Sequence, residues 1–103
     1  MPRESYTQGK ILKYLSARGG YWVKYHASFY TSEGVPDILG CYFGLFIAFE
    51  VKNVNKKNPY KALAQAQVDN VHAIRESDGL AFAVNSIAQV EAILNEIDTA
   101  RGK

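Results

Sequence analysis

Hydrophobic residues recur at helical spacing in three parts of the chain. The first run covers Ser5–Arg18 and stops at Gly19-Gly20, while the second covers Tyr60–Ser77 and begins after Pro59. Ser86 is a suitable N-cap for a third helix through about Ile97. The apolar positions of the first two runs are Ile11, Leu12, Leu15 and Ala17, then Leu63, Val68, Val71 and Ile74. We therefore expect three amphipathic helices.

Four other segments predict strands. Tyr21–Tyr30 is aromatic and β-branched enough for a strand or an irregular extended segment. Asp37–Tyr42 and Leu45–Lys52 are joined by a tight turn at Phe43-Gly44, and Leu80–Val84 is a short, continuously apolar run. The resulting order is α-β-β-β-α-β-α. We expect one α/β domain over residues 1–103, with its sheet flanked by helices.

The strand Leu45–Lys52 changes character at its end. Leu45, Ile47, Phe49 and Val51 form one wholly apolar face, because side chains alternate along a strand. The other face begins with Phe46 and Ala48 and becomes ionic at Glu50 and Lys52. A strand that is apolar on both faces belongs in the middle of a sheet, covered by helices on both sides. Ionic groups at its end cost solvation free energy unless they are paired with an opposite charge or serve in a functional site.

A hairpin without a bulge places a second acid beside Glu50. Folding about Phe43-Gly44 pairs Leu39 with Ala48, and the same register sets Asp37 opposite Glu50. Cross-strand partners share a face with Cβ atoms about 5 Å apart, and like charges there are destabilising. Two acids converging beside Lys52 are a reasonable site for Mg²⁺ or Mn²⁺, which prefer oxygen ligands.

Each of these motifs is common by itself. Pro-Asp before a strand is usually turn chemistry, and Glu-x-Lys at a strand end is usually a solvated ion pair. The register is what favours a site, because it places Asp37, Glu50 and Lys52 on one face at one end of the hairpin.

The segments Gly34–Gly40 and Gly44–Lys52 closely resemble the VRR-NUC branch of the PD-(D/E)xK nuclease superfamily. The resemblance extends from about Glu4 to Ser86, and it implies a restriction-endonuclease-like core that cleaves DNA phosphodiesters with a metal. It also implies that Asp37, Glu50 and the Val51 carbonyl hold the metal and that Lys52 is the catalytic lysine.

Two helical residues are further candidates. Glu4 shares a helical stripe with Gln8, Ile11 and Leu15, and it matches a glutamate of the family that would serve as a further catalytic residue and metal ligand. Alternatively, Ser5 is the N-cap and forms a capping box with Gln8, which leaves Glu4 outside the helix. The family also places a glutamine on the helix after Glu-x-Lys, and Gln67 fits that position better than Gln65.

Nucleic-acid contacts are expected from basic residues near the motif. Lys24 and His26 lie on one face of the first strand in a Trp-x-Lys-x-His pattern that also resembles the family. A lysine cluster follows the motif and is the best candidate for phosphate contacts, although such a run is usually a solvated surface. Its members are Lys52, Lys56, Lys57 and Lys61.

Aromatic residues, His72 and Cys41 are given structural roles. Most of Tyr21, Trp22, Tyr25, Phe29 and Tyr30 are expected in the core, although aromatic rings can also stack on unpaired bases. Cys41 is expected to be a small core residue; as the chain's single cysteine it excludes an internal disulfide.

Composition narrows the class of protein but says little about the chemistry that the protein performs. The 103 residues are 48% hydrophobic, which supports a core without disulfides, and no apolar run approaches the length of a membrane span. The first residues lack the apolar stretch of a signal peptide, so we expect a cytoplasmic protein. Net charge is only +2, but bound Mg²⁺ reverses the local sign at the acids, and the excess lysines concentrate around the motif.

We therefore expect a stand-alone nuclease of phage or bacterial type that uses Mg²⁺ or Mn²⁺. One site cuts one strand, so cleavage of both strands requires a two-fold homodimer, and the family resemblance favours branched DNA such as Holliday junctions. The alternatives are a non-catalytic DNA-binding or assembly subunit with the nuclease fold, and an endonuclease or exonuclease acting on linear duplex.

Overall fold

A four-stranded mixed sheet forms the centre of the computed structural model, which describes residues 3–28, 33–53 and 57–102. The strands lie in the order β1-β2-β3-β4, with β1 and β2 antiparallel, β2 and β3 antiparallel, and β3 and β4 parallel. In chain order the elements are α1 (Glu4–Arg18), β1 (Tyr21–Lys24), β2 (Ile38–Tyr42), β3 (Leu45–Val51), a 3₁₀ turn (Pro59–Ala62), α2 (Gln65–Glu76), β4 (Leu80–Val84) and α3 (Ile87–Ala100). This is the predicted order and fold class.

The first helix begins one residue earlier than its best capping candidate. α1 starts at Glu4, its N-cap is Arg3, and no side chain caps its first turn. The alternative in which Ser5 caps the helix is therefore wrong, because Ser5 lies inside it. Gln8, Ile11 and Leu15 are the buried residues of the helix, which confirms the predicted stripe. Glu4 continues this stripe at the helix N-terminus.

The hairpin of β2 and β3 has the predicted register. Its pairs run from Tyr42 with Leu45 to Ile38 with Phe49. Phe43 and Gly44 have φ values of 49° and 93°, the positive values that a two-residue hairpin turn requires. β3 lies between β2 and β4 and is buried from Ile47 to Val51, as its continuous apolar character predicts.

Helices cover both faces of β3. On one face, α1 and α3 pack against Ile47, Phe49 and Val51 in the main core. On the opposite face, α2 packs against Ala48 and Ala81 through Val71. Glu50 follows Ala48 in the alternation, so its side chain belongs to the α2 face of the sheet.

The predicted second helix is divided into two parts. The 3₁₀ turn at Pro59–Ala62 is capped by the Asn58 side chain, and Leu63 and Ala64 are extended, with ψ values of 135° and 161°. Leu63 packs against the α2-side core. A continuous helix from Tyr60 is therefore wrong, because the chain is extended at these two residues before α2 begins.

Three further expectations have different outcomes: the one for Cys41 is wrong, and the other two are met in part. β1 ends at Lys24, so the extended segment from Tyr25 onward forms no strand among the described residues. Cys41 is exposed instead of buried in the core. Of the aromatics, Trp22 is buried, Tyr25 is half-buried and Tyr21 is exposed, while Phe29 and Tyr30 lie outside the described residues.

The C-terminal helix begins as predicted. The Ser86 hydroxyl accepts a hydrogen bond from the Gln89 backbone N–H at 3.3 Å, and the helix continues to Ala100, three residues beyond the expected end. No described helix is long and apolar enough to cross a membrane.

Candidate metal and nucleic-acid site

Asp37 lies immediately before β2 and reaches across to the end of β3. Its Oδ2 atom accepts a hydrogen bond from the Val51 backbone N–H at 2.8 Å. The Asp37 backbone carbonyl accepts another from the Tyr25 N–H at 2.7 Å. These two contacts hold Asp37 between β1 and β3, where the hairpin register predicts that it faces Glu50.

Glu50 is the most deeply buried acid among the described residues that form the site. Only 3% of it is exposed, and its carboxyl group is hydrogen-bonded to that of Asp37. Burial raises the pKa of Glu50 from its ordinary value of 4.5 to about 9, the Asp37 hydrogen bond and negative charge contribute further, and Lys52 opposes the shift. Without a cation, the carboxyl group of Glu50 therefore keeps its proton near neutral pH.

Lys52 follows β3 on the same face as Glu50. Its backbone N–H donates to the Val84 carbonyl at 2.9 Å, so the chain remains docked on β4 beyond the end of the strand. The half-buried Lys52 is the cation whose charge stabilises the ionised form of Glu50. The structure thus brings Asp37, Glu50 and Lys52 together at one end of the sheet.

Glu4 reaches the same end of the sheet from α1. Its Oε2 atom accepts a hydrogen bond from the Asn53 backbone N–H at 3.3 Å, and its negative charge contributes to the raised pKa of Glu50. Among the described residues, however, no group of three or more His, Cys, Asp and Glu side chains is gathered tightly enough to hold a metal. Glu4 therefore lies near Asp37 and Glu50, but its carboxylate is hydrogen-bonded to the Asn53 backbone N–H.

The donor set at the pair fits a divalent cation. Glu50 is almost fully buried beside Asp37, and its raised pKa means that it keeps a proton that a bound cation would replace. Hard oxygen donors of this kind suit Mg²⁺ or Mn²⁺, which also keep several waters. Asp37 and Glu50 are thus suited to hold such an ion, with the Val51 carbonyl as a further oxygen at the same strand end.

The Gln67 side chain caps the start of α2. Its Oε1 atom accepts a hydrogen bond from the Ala64 backbone N–H at 2.8 Å, and the side chain is half-buried. Gln67 is the third residue of α2, so this contact is the reciprocal half of a capping box. Gln65 is exposed and donates instead to Asp69 at 2.8 Å.

The loop before Asp37 is anchored on α2. The Asn70 amide donates to the Glu33 carbonyl at 3.0 Å. Gly34 has a φ of 77°, and a Cβ atom there would overlap the Ala66 backbone carbonyl. A larger residue is therefore excluded at this close approach, which connects the position of Asp37 to the helix that carries Gln67.

The basic candidates differ in exposure and in the sheet face on which they lie. Lys24 pairs with Ile38 and so shares the sheet face of Ile38, opposite to the face of Glu50. His26 follows the end of β1 and is exposed, as are Lys57 and Lys61 near the 3₁₀ turn. Lys56 lies outside the described residues.

Two backbone groups complete the site and were absent from the sequence-based prediction. The Asn53 N–H binds Glu4, and the Val51 N–H binds Asp37. Backbone donors leave no signal in side-chain identity. Only the expectation that both acids lie beside the end of β3 could have indicated them.

Comparison with known proteins identifies the class of this fold. Two solved structures match with probability 1.00: a "VRR_NUC domain" at a TM-score of 0.70 and 24% identity, and a "VRR_NUC domain protein" at 0.69 and 16%. The first match covers 89% of this chain and 94% of the matched chain. The second covers 95% of this chain and 89% of the matched chain. The predicted VRR-NUC nuclease fold is confirmed.

The family follows from a sequence model. The model of RecU, Recombination protein U, matches residues 8–95, and the chain therefore belongs to that family. A comparison with curated protein sequences finds no significant match.

Proposed function

We propose that this protein is a metal-dependent DNA nuclease that hydrolyses phosphodiester bonds in branched DNA. The observation that carries the proposal is the contact between Asp37 and Glu50 at the end of β3, with Lys52 on the same face. Buried acids in contact are costly for stability, and they are retained where a cation uses them. Membership of the Recombination protein U family supports DNA as the substrate.

Asp37, Glu50 and the Val51 carbonyl would hold Mg²⁺ or Mn²⁺, with Glu4 close enough to add negative charge. A divalent ion bound there supplies Lewis-acid chemistry, since it neutralises charge on the phosphate and makes water a better nucleophile.

Lys52 is the proposed catalytic lysine. Its ammonium group lies within electrostatic reach of Glu50, where it can hold the attacking water and offset the charge that develops on the phosphate. Asp37 is fixed by the Val51 N–H, so the acid pair is organised before DNA binds. Gln67 supports this arrangement from α2, whose first turn packs against the loop that leads to Asp37.

Exposed basic residues are proposed to bind the DNA backbone without a separate base-reading element. Lys57 and Lys61 are exposed on the segment that follows the motif, and His26 is exposed on the segment that follows β1. They are proposed to contact phosphates, together with Lys24, which lies on the opposite face of the sheet, and Lys56, which lies outside the described residues. Contacts of this type recognise backbone shape and not base sequence.

A chain with one such site cuts one strand. Symmetrical cleavage of a four-way junction requires two sites related by a two-fold axis, so we propose that the active form is a homodimer. The family description, Recombination protein U, supports a substrate that arises in recombination.

The substrate is tested with a panel of DNA forms. A four-way junction, a flap, a single strand and a linear duplex of equal length are incubated with the protein and Mg²⁺ or Mn²⁺. The proposal predicts that the junction is cut fastest, by paired nicks in opposite strands. Faster cleavage of linear duplex would favour an endonuclease or exonuclease of linear DNA. Binding without cleavage of any form would favour a non-catalytic DNA-binding subunit.

A further inference from the structure

One buried polar side chain of α1 is not engaged by the rest of the fold. Gln8 is only 9% exposed, and it lies in the helix stripe that also buries Ile11 and Leu15. Among residues 3–28, 33–53 and 57–102, no group forms a hydrogen bond with its side-chain amide. Buried amides nearly always have a partner, so the partner of Gln8 is sought outside the chain.

The amide group of Gln8 is the part of the side chain that reaches solvent. In the described part of the chain, every side-chain N or O atom that is fully buried has a hydrogen-bond partner. The amide atoms of Gln8 have none there, so they retain contact with water. A buried stem thus presents an amide to a small opening at the surface.

The direction of α1 shows where this opening lies. At the N-terminus of the helix, Glu4 accepts a hydrogen bond from the Asn53 N–H, just beyond the end of β3. At its C-terminus, Arg18 pairs with Asp98, which accepts a hydrogen bond from the Tyr42 hydroxyl beside the start of β3. α1 therefore runs antiparallel to β3, and its first turns lie at the end of the strand that carries the acids.

Gln8 lies level with Val51 in this arrangement. It follows Glu4 by about 6 Å along the helix axis, and Val51 precedes Asn53 by about 7 Å along the strand. Ile11, the next residue of the stripe, belongs to the same core cluster as Val51. Side chains on a helix tilt toward its N-terminus, so the Gln8 amide is directed toward Glu4 and the end of β3.

An acceptor at this place suits the water ligands of a divalent cation. Mg²⁺ prefers octahedral coordination and keeps several waters when one or two carboxylates bind it. Asp37, Glu50 and the Val51 carbonyl would fill about half of such a shell. The remaining waters donate hydrogen bonds and need acceptors beside the site, and the Gln8 Oε1 atom is an acceptor that the described chain leaves available.

We propose that the Gln8 amide oxygen accepts a hydrogen bond from a water ligand of the divalent cation held by Asp37 and Glu50. The proposal rests on the proposed function, because it needs that cation. Gln8 is then a positioning residue, since it acts through the water and touches neither the cation nor the DNA. Removal of a group that orients the ligands of a metal typically lowers metal affinity by roughly 10- to 100-fold.

Mn²⁺ affinity and metal-free stability of the full chain test the proposal. Gln8→Met keeps an unbranched side chain of similar length and removes the amide. Calorimetry should show Mn²⁺ binding that is roughly 10- to 100-fold weaker than in wild type. In EDTA the denaturant midpoint should equal or exceed that of wild type, because the fold loses no hydrogen bond. Gln65→Met, the same change at an exposed position of α2, should keep the wild-type affinity.

Two further variants separate the acceptor atom from the shape of the side chain. Gln8→Glu keeps an acceptor oxygen whether or not it is protonated, so it should recover most of the affinity that Gln8→Met loses. Gln8→Leu is a second apolar replacement and should behave like Gln8→Met, so the comparison does not depend on the packing of one variant. Circular dichroism establishes that each variant is folded.

The outcomes distinguish this proposal from the proposed function. Wild-type affinity in both apolar variants would overturn the role of Gln8, and so would a lowered denaturant midpoint in both, which would indicate a structural partner. If Asp37→Asn also keeps the wild-type affinity, the cation binds elsewhere and both proposals fail. If Asp37→Asn loses affinity and the apolar Gln8 variants do not, the inference about Gln8 fails alone. If Mn²⁺ binding depends on both residues but wild type cuts no DNA, the role of Gln8 stands and the nuclease proposal fails.

Discussion

The carboxyl groups of Asp37 and Glu50 are hydrogen-bonded to each other where β2 begins and β3 ends. Asp37 is also held by the Val51 N–H at 2.8 Å, and Glu50 is only 3% exposed. Two acids are thus kept in contact at the end of the most buried strand. Such an arrangement lowers stability in the absence of a cation, which is why we propose that a cation binds there.

The raised pKa of Glu50 predicts how stability depends on pH. Its ordinary pKa is 4.5 and its folded value is about 9, so between these values the unfolded chain releases a proton that the folded protein keeps. The stability of the metal-free protein should therefore fall as pH rises from about 5 to 9. A loss of 1 kcal/mol lowers Tm by roughly 4–8 °C in a domain of this size, so thermal unfolding in EDTA measures it.

Glu50→Gln is the variant that tests this assignment. Glutamine is similar in shape and has no titratable proton. The stability of the variant should therefore depend less on pH over the same range. Glu76→Gln, which changes an exposed acid on α2, should keep the wild-type dependence. The assignment is wrong if wild type and Glu50→Gln respond to pH in the same way.

Metal binding should release a proton. At pH 7 Glu50 holds a proton because its pKa is about 9, and a cation bound to its carboxylate displaces that proton. Calorimetric titration with Mn²⁺ in two buffers of different ionisation enthalpy should report about one proton released per chain. Bound Mn²⁺ should raise the free energy of unfolding by about 2.7 kcal/mol when the free Mn²⁺ concentration is a hundredfold above its Kd. Thermal unfolding detects this gain as a higher Tm.

Asp37→Asn provides the comparison for metal binding. Asparagine can still accept the Val51 N–H bond, so the fold should persist while affinity for Mn²⁺ falls. Wild-type affinity in this variant would show that the cation binds elsewhere.

Gln67 has a structural contact that must be separated from any role in cleavage. Gln67→Ala removes the acceptor for the Ala64 N–H and should cost about 0.5–2 kcal/mol in the free energy of unfolding. Gln67→Glu keeps an acceptor at the same position and should retain most of the stability. Gln65→Ala is the surface control, since it removes only an exposed side-chain pair with Asp69.

Denaturant unfolding measures these three variants, and cleavage is then compared at equal folded fraction. Slower cleavage by well-folded Gln67→Glu would give the amide a role at the site beyond capping. Equal stability of Gln67→Ala and wild type would contradict the capping contact.

The hairpin was predictable because a two-residue turn determines every later pair. Phe43-Gly44 set the register, and the approach of Asp37 to Glu50 follows from that register by counting residues along the two strands. The apolar faces of β3 likewise required a central strand with helices on both sides. Strict alternation and short turns carry this information locally.

Other features depend on tertiary packing that periodicity does not record. Helical spacing continues through Leu63 and Ala64, yet the chain is extended there, and α2 is capped by a side chain three residues inside it. Alternation also assigns Cys41 and Tyr21 to a face without showing whether a helix covers that face. Both residues are exposed, whereas Leu39 on the same face packs against the α2-side core.

The central claim is that the acid pair and Lys52 cleave DNA with a divalent cation. The most direct measurement is single-turnover cleavage of a four-way junction in Mg²⁺ or Mn²⁺ by wild type, Asp37→Asn, Glu50→Gln and Lys52→Ala. Lys13→Ala, which changes an exposed lysine of α1, is the matched control. We predict that wild type and Lys13→Ala cut, that EDTA abolishes cleavage, and that each site variant binds the junction but cuts it at least roughly 10²-fold more slowly. Wild-type rates in the site variants, or cleavage that persists in EDTA, would contradict the account.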